Sequence, residues 1–493
     1  MNLNKKHLIK NLLYVFPTAV YCIYFFAQDY SKLGFFADDS ITIFNLSKDL
    51  SLKELFILSH NWDAARDLHL IWQKIFINIS KPNIIENLHL YQLILYLINS
   101  LLFIKILSQL SIRKEIIFFL WILSLFLPVY SEVIFWTHAF SMVLMSSFFF
   151  LIFLILSIYS YNKFINLKYE FLILLTLLLT LFTYEQSIFS IFFIIFFNNY
   201  FKFKKKYIDK KKFILLISFY FTVLFIFLLY KLNAAGTFNS TVLYHTGSKI
   251  GFNYKIIDNI LISFGIFVYS FLDFKINLKN LENNMYNHFI FMGLFLLTSK
   301  YLIIDRVFHQ NEKKIKYLIN ALVMCLILFF SSFIPLYFHY LSDRHFYLPS
   351  FFMFIGLGFV LEYWSHLIFK KPIFKMIVVL VLFLFISKFM FQYDTKKYQN
   401  IENFQMKKIF YNNILKSDKF DQTKSSICLY GFPDLYKNQV LFAHEQEPFL
   451  RVLNQNDKLP KILRNPEIKN SGNQIVFLGV VNNEIKYDFR QSD

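Results

Sequence analysis

Apolar residues along the chain fall into blocks of about twenty, the length a bilayer core asks of a helix, separated by short lysine-bearing stretches. The pattern predicts spans over 12–30, 88–107, 116–130, 139–158, 170–183, 188–200, 213–231, 286–303, 317–338, 349–369 and 373–391. The first block follows Lys5, Lys6 and Lys10, the charge order of a signal peptide. It is long for one and lacks a small-x-small cleavage site, so it reads as an uncleaved span. Residues 31–87 are too amphipathic to cross, and within them Ser51 to Leu58 and Leu68 to Ile79 read as helices lying on the membrane surface. Asn259 to Leu272 is apolar but short for a span, and reads as an interfacial or re-entrant helix on the outer face. After residue 391 the long apolar runs stop. Ser425 to Phe432 and Asn473 to Val481 read as short buried strands around a helical stretch near Glu445 to Leu453.

The expected fold class is therefore an α-helical polytopic membrane protein of about eleven spans with a small α/β C-terminal domain. Residues 1–391 form the membrane domain, with outer-face loops 31–87 and 232–285, and residues 392–493 form the tail domain. No internal repeat of 20–50 residues is visible.

Charge sets the orientation. One group of short connections holds Lys5/Lys6/Lys10, Lys105/Arg113/Lys114, Lys163/Lys168, the run from Lys202 to Lys212, Arg306/Lys313/Lys314/Lys316 and Lys370/Lys371/Lys375. The opposite group, 131–138, 184–187 and 339–348, holds one basic residue, Arg344. Basic loops stay in the cytoplasm, so the N-terminus is expected inside and the C-terminal domain extracytoplasmic. The net charge of +19 is thereby assigned to topology, with no nucleic-acid partner expected. A hydrophobic content of 56% is more than a soluble protein of this length can bury. Cys22, Cys325 and Cys428 are too few and too far apart for a disulfide framework or a zinc spacing.

Ionisable residues at the outer membrane face are the candidates for chemistry, because they are costly to place there. Asp38 and Asp39 stand at the start of the first outer loop; they fit a general base or metal ligand, or a solvated turn that caps the helix beginning near Ser40. Glu132, in Pro128-Val129-Tyr130-Ser131-Glu132-Val133-Ile134-Phe135-Trp136-Thr137-His138, and Glu185, in Thr183-Tyr184-Glu185-Gln186-Ser187, sit in hairpins too short to carry them away from the membrane. Each faces either the headgroups or a pocket shared with the acidic pair. Arg344 can grip a phosphate bidentately, or pair with Asp343 or a headgroup. His60, His69 and His138 are outer-side histidines without an HxxxH or HExxH spacing.

In this order, these positions resemble the GT-C superfamily of membrane glycosyltransferases, and within it the bacterial relatives of the transmembrane O-mannosyltransferases that carry tetratricopeptide repeats. The acidic pair is similar to Asp38-Asp39. An Arg-Pro-Leu-like segment and a His-rich approach to the second span look like Arg66-Asp67-Leu68-His69 and Asn87-Leu88-His89-Leu90. A Pro-Val-His-x-Glu-x-x-x-Trp element resembles Pro128 to Trp136, a Lys-Glu pair resembles Tyr184-Glu185, and Glu-Arg-Tyr-Leu-Tyr-Leu-Pro-Ser resembles Asp343 to Ser350. The likeness covers about residues 12–390. Asp67 stands where Pro is usual, Tyr184 where Lys is, and His345 where Tyr is; the repeats are absent.

The resemblance implies inverting transfer of a sugar from a polyprenyl-phosphate carrier to a lipid, glycan or protein hydroxyl, at the outer face of a bacterial cytoplasmic membrane. By it, Asp38 or Asp39 is the catalytic base or holds a divalent metal, and Arg344 stabilises the leaving phosphate. Glu132, His138, Glu185, Arg66 and His69 bind the substrate. Two other classes share the span count. A surface-polysaccharide polymerase or ligase would carry several arginines in large outer loops. A lipid-linked glycan transporter would show repeats and Gly/Pro-broken helices, which this chain, with 11 Gly and 10 Pro, does not display.

Overall fold

The computed structural model describes residues 32–33, 46, 50–62, 66–81, 83–127, 130–137, 140–161, 167–237, 312–333 and 343–368, isolated positions from 389 to 405, and six strands from 425 to 491. The expected spans 12–30, 286–303 and 373–391, the segment 259–272 and the helical stretch 445–453 lie outside these residues.

The membrane region is helical. Helix α1 covers Leu52–Trp62, α2 Asp67–Ser80, α3 Ile84–Gln109, α4 Lys114–Leu125 and α5 Ser131–Phe135. A π-helical turn, Phe140–Leu144, leads into α6, Met145–Tyr161. Then follow α7 Leu167–Thr183, a 3-10 turn Glu185–Ser187, α8 Ile188–Lys204 and α9 Lys210–Thr237. Helix α10 is Glu312–Ser331, a second 3-10 turn is Asp343–Phe346, and α11 is Tyr347–Ile368.

Among the described residues, four helices are long and apolar enough to cross a membrane: Ile84–Gln109, Phe140–Ser160, Lys210–Lys231 and Arg344–Tyr363. Their surroundings differ. In the apolar window of Phe140–Ser160, 72% of residues are buried in protein, so α6 is central. In that of Lys210–Lys231 only 17% are buried, and Leu215, Phe221 and Ile226 lie more than half exposed. An apolar helix face of this extent is stable against lipid and a liability in water.

The stretch expected as a span over 116–130 is shorter. Helix α4 stops at Leu125, and its twelve residues rise about 18 Å, well under a bilayer core of about 30 Å. Pro128 explains the stop, because proline removes a helical donor and disfavours helical geometry in the residue before it.

Two helix ends on one side of the bundle close in the same way. At Ser111 and Lys206 the backbone turns to φ 60°, and Ile112 and Tyr207 donate back to Leu107 and Lys202. These bonds satisfy the last carbonyls of α3 and α8 and reverse the chain into α4 and α9. On that same side, Arg113 pairs with Glu362 at 3.0 Å, and buried Lys202 reaches Glu170 at 3.4 Å. Tyr220 donates to the other Glu170 oxygen at 2.8 Å, which ties α7, α8 and α9 together. Gly358 lets α11 pass close to the first reversal, for a Cβ there would come 2.8 Å from Ile112 Cδ1.

In the tail, β1 (Ser425–Leu429) pairs parallel with β4 (Lys461–Arg464) and with β5 (Gln474–Val481). Strand β6 (Glu484–Gln491) runs antiparallel to β5, giving the order β4-β1-β5-β6. A separate two-stranded pair joins β2 (Leu435–Tyr436) and β3 (Gln439–Val440). Strands β1 and β5 fall on the two stretches expected as strands.

Candidate functional site

Each reversal fixed by Ser111 and Lys206 sends the chain to the opposite end of the bundle. There the starts of α3, α6, α8 and α11 meet the ends of α4, α7 and α9. This end brings together Arg66, Glu185 and Arg344 among the residues singled out in the sequence.

Arg66, which leads into α2, is the centre of the cluster. Its Nε donates to both Glu185 oxygens at 3.0 and 3.2 Å, and Nη2 donates to Oε1 at 2.7 Å. Lys231, near the end of α9, adds a second cation 3.3 Å from Glu185 Oε2. Burial by itself would raise the Glu185 pKa, but the charges of Arg66 and Lys231 and the Arg66 hydrogen bonds outweigh it. The carboxyl is held well below the ordinary carboxylate range. Next to Arg66, Asp67 is buried and accepts a hydrogen bond from the Tyr230 hydroxyl. The start of α2 is thus latched to the end of α9 twice.

Aromatic rings carry the cluster across the bundle. The Arg66 guanidinium lies 4.9 Å from the Tyr184 ring centroid, and Tyr184 stacks on His345 at 6.4 Å. Gln186 donates to the His345 carbonyl at 2.5 Å, which docks the α7–α8 hairpin onto the 3-10 turn that holds Arg344. Arg344 in turn lies over Trp136, 4.0 Å from its centroid. Trp136 is held from inside α3: Gln92 donates to the Val133 and Trp136 carbonyls at 2.5 and 2.8 Å, closing the end of α5, and His89 adjoins the Gln92 amide at 3.3 Å.

Of the expected site residues, Arg66, Glu185 and Arg344 are therefore joined in one continuous array. His69 is fully buried on α2. The backbone of Glu132 lies in α5, beside the turn holding Arg344, while its side chain is outside the description. Asp38, Asp39 and His138 lie outside the described residues. Among the described residues no three His, Cys, Asp or Glu side chains converge as a metal would require.

Lys231, Tyr230 and Gln92 were not read from the sequence. One signal for Lys231 exists: it is the only charged residue from 213 to 248, and it sits at the end of the span away from the lysine-rich loop. A lone cation there opposes the usual charge bias and points to a local partner.

Comparison of the chain with family models, with curated proteins and with solved structures gives no match.

Proposed function

We propose that this chain is a membrane glycosyltransferase that moves a sugar from a polyprenyl-phosphate carrier to an acceptor hydroxyl at the outer face of a bacterial cytoplasmic membrane. The observation that supports this reading is the convergence, at one end of an apolar helical bundle, of Arg66, Trp136, Tyr184-Glu185 and Arg344-His345. A lipid-phosphate sugar needs a cation for its phosphate, rings on which a sugar can rest, and a site that its hydrocarbon tail can reach sideways. The array supplies the first two, and the apolar bundle around it is compatible with the third.

In this reading Asp38 or Asp39 takes the proton from the acceptor hydroxyl as its oxygen attacks the anomeric carbon. The bond from that carbon to the phosphate oxygen breaks, and polyprenyl phosphate leaves with the added negative charge. Arg344, already positioned by Trp136, meets that charge. The Arg66–Glu185–Lys231 group ties the start of α2 to the hairpin after α7 and to the end of α9. The full architecture proposed is about eleven membrane segments over residues 1–391, the short α4 among them, with residues 392–493 as an extracytoplasmic α/β domain.

The test is release of polyprenyl phosphate from a polyprenyl-phosphate hexose by membranes containing the chain. Arg344→Ala at equal protein level should lower the rate about 10²–10³-fold, as loss of a single charge-stabilising donor does elsewhere. A rate equal to wild type would remove Arg344 from the reaction.

A further inference from the structure

Inside the Arg66–Glu185 pair, the buried face of α2 carries polar groups beside the equally buried Leu70 and Ile77. His69, Gln73 and Ser80 are 0, 1 and 0% exposed, and they follow Arg66 at helical spacing. The π-helical turn supplies their neighbours. Met142 Sδ lies 3.8 Å from Arg66 Nη1, and Ser141 Oγ donates to Gln73 Oε1 at 3.4 Å. Gln73 thus sits against the residue adjoining the one that touches Arg66.

The Gln73 amide is only half used. Its Nε2 is buried and meets no acceptor among the described residues, and the indole Nε1 of neighbouring Trp72 is in the same position. Exchanging the amide oxygen and nitrogen moves the orphan to the other atom without removing it. Buried polar atoms left without a partner disfavour the fold.

We propose that Gln73, with Ser141 bonded to it, recognises the hydroxyls of the donor sugar; this rests on the glycosyl-transfer reading above. An uncharged amide suits sugar hydroxyls. The phosphate selects the guanidinium and ammonium groups nearby.

The test uses the purified full-length chain in detergent micelles. The probes are undecaprenyl phosphate, bare or carrying mannose, glucose or galactose. Wild type should bind one sugar-bearing lipid more tightly than the bare one. Gln73→Met keeps the volume and removes the half-used amide. It should weaken binding of that sugar-bearing lipid roughly tenfold, the size of a lost hydrogen bond or two, and leave the bare lipid unaffected. Its unfolding temperature should stay level or rise, whereas loss of a structural amide would lower it. The milder Ser141→Ala should weaken sugar-bearing lipid in the same direction. The proposal is overturned if Gln73→Met keeps the wild-type preference for the sugar, or if wild type binds the bare lipid with no preference for any sugar; the phosphate reading then still stands. If wild type binds neither bare nor sugar-bearing lipid, the glycosyl-transfer reading falls and takes the subsite with it.

Discussion

Arg66 and Glu185 lie 119 residues apart and meet through three nitrogen–oxygen contacts of 2.7, 3.0 and 3.2 Å. Both side chains are about a quarter exposed, at 23 and 24%, so the pair is screened less than a surface ion pair. Removing Glu185 leaves Arg66 and Lys231 as facing cations. Glu185→Gln and Arg66→Met should each destabilise the protein by about 1–3 kcal/mol, between the loss expected of an exposed pair and that of a fully buried one. The double variant should lose less than the two losses added together. Thermal unfolding in detergent reads this, and strictly additive losses would mean that the two groups do not stabilise one another.

The same pair sets a pH dependence. The folded Glu185 pKa lies below its ordinary value of 4.5 because of Arg66, Lys231 and their hydrogen bonds, against the opposing effect of burial. A depressed carboxylate contributes its stability in full above the unfolded value, and loses it as pH falls through the folded one. The stability difference between wild type and Glu185→Gln should therefore be flat from pH 6 to 8 and shrink below about pH 4.5. A difference that instead grew on acidification would contradict the sign of the shift.

The basic loops define the third prediction. With Lys202 to Lys212 in the cytoplasm, the end of the bundle bearing Arg66, Glu185 and Arg344 faces outward. An alkaline phosphatase fusion at the C-terminus should be active, and one after Lys206 inactive. The reverse pattern would place the ionic array on the cytoplasmic side.

Much of the helical layout could be read from hydrophobic block length, because a bilayer leaves a helix few alternatives. Helices α3, α6, α9 and α11 overlap the stretches expected for them. Helix α4 is shorter than its apolar block, since Pro128 overrides a run that hydropathy alone would extend. Glu185 and Arg344 were legible as candidates because charge at a membrane face is expensive, whereas Arg66 was named only through the family resemblance. Their joining was not, for contact between residues 66 and 185 depends on how α2 packs against α7 and the hairpin after it. Gln73 and Gln92 were invisible for another reason: an uncharged amide within an apolar stretch carries no sequence signal, and only its buried partners reveal it.

Sugar transfer itself is the decisive measurement. Membranes containing wild-type, Asp38→Asn, Asp39→Asn or doubly substituted chain, at equal protein level, are given a labelled polyprenyl-phosphate hexose. Asparagine keeps the size and capping ability of aspartate and removes the base. Wild type should transfer label to acceptor, and the variant lacking the base, expected to be Asp38→Asn, should be slower by about 10²–10⁴-fold, the usual worth of general-base assistance. Transfer at the wild-type rate by both single variants and the double variant would contradict the catalytic account built on the acidic pair.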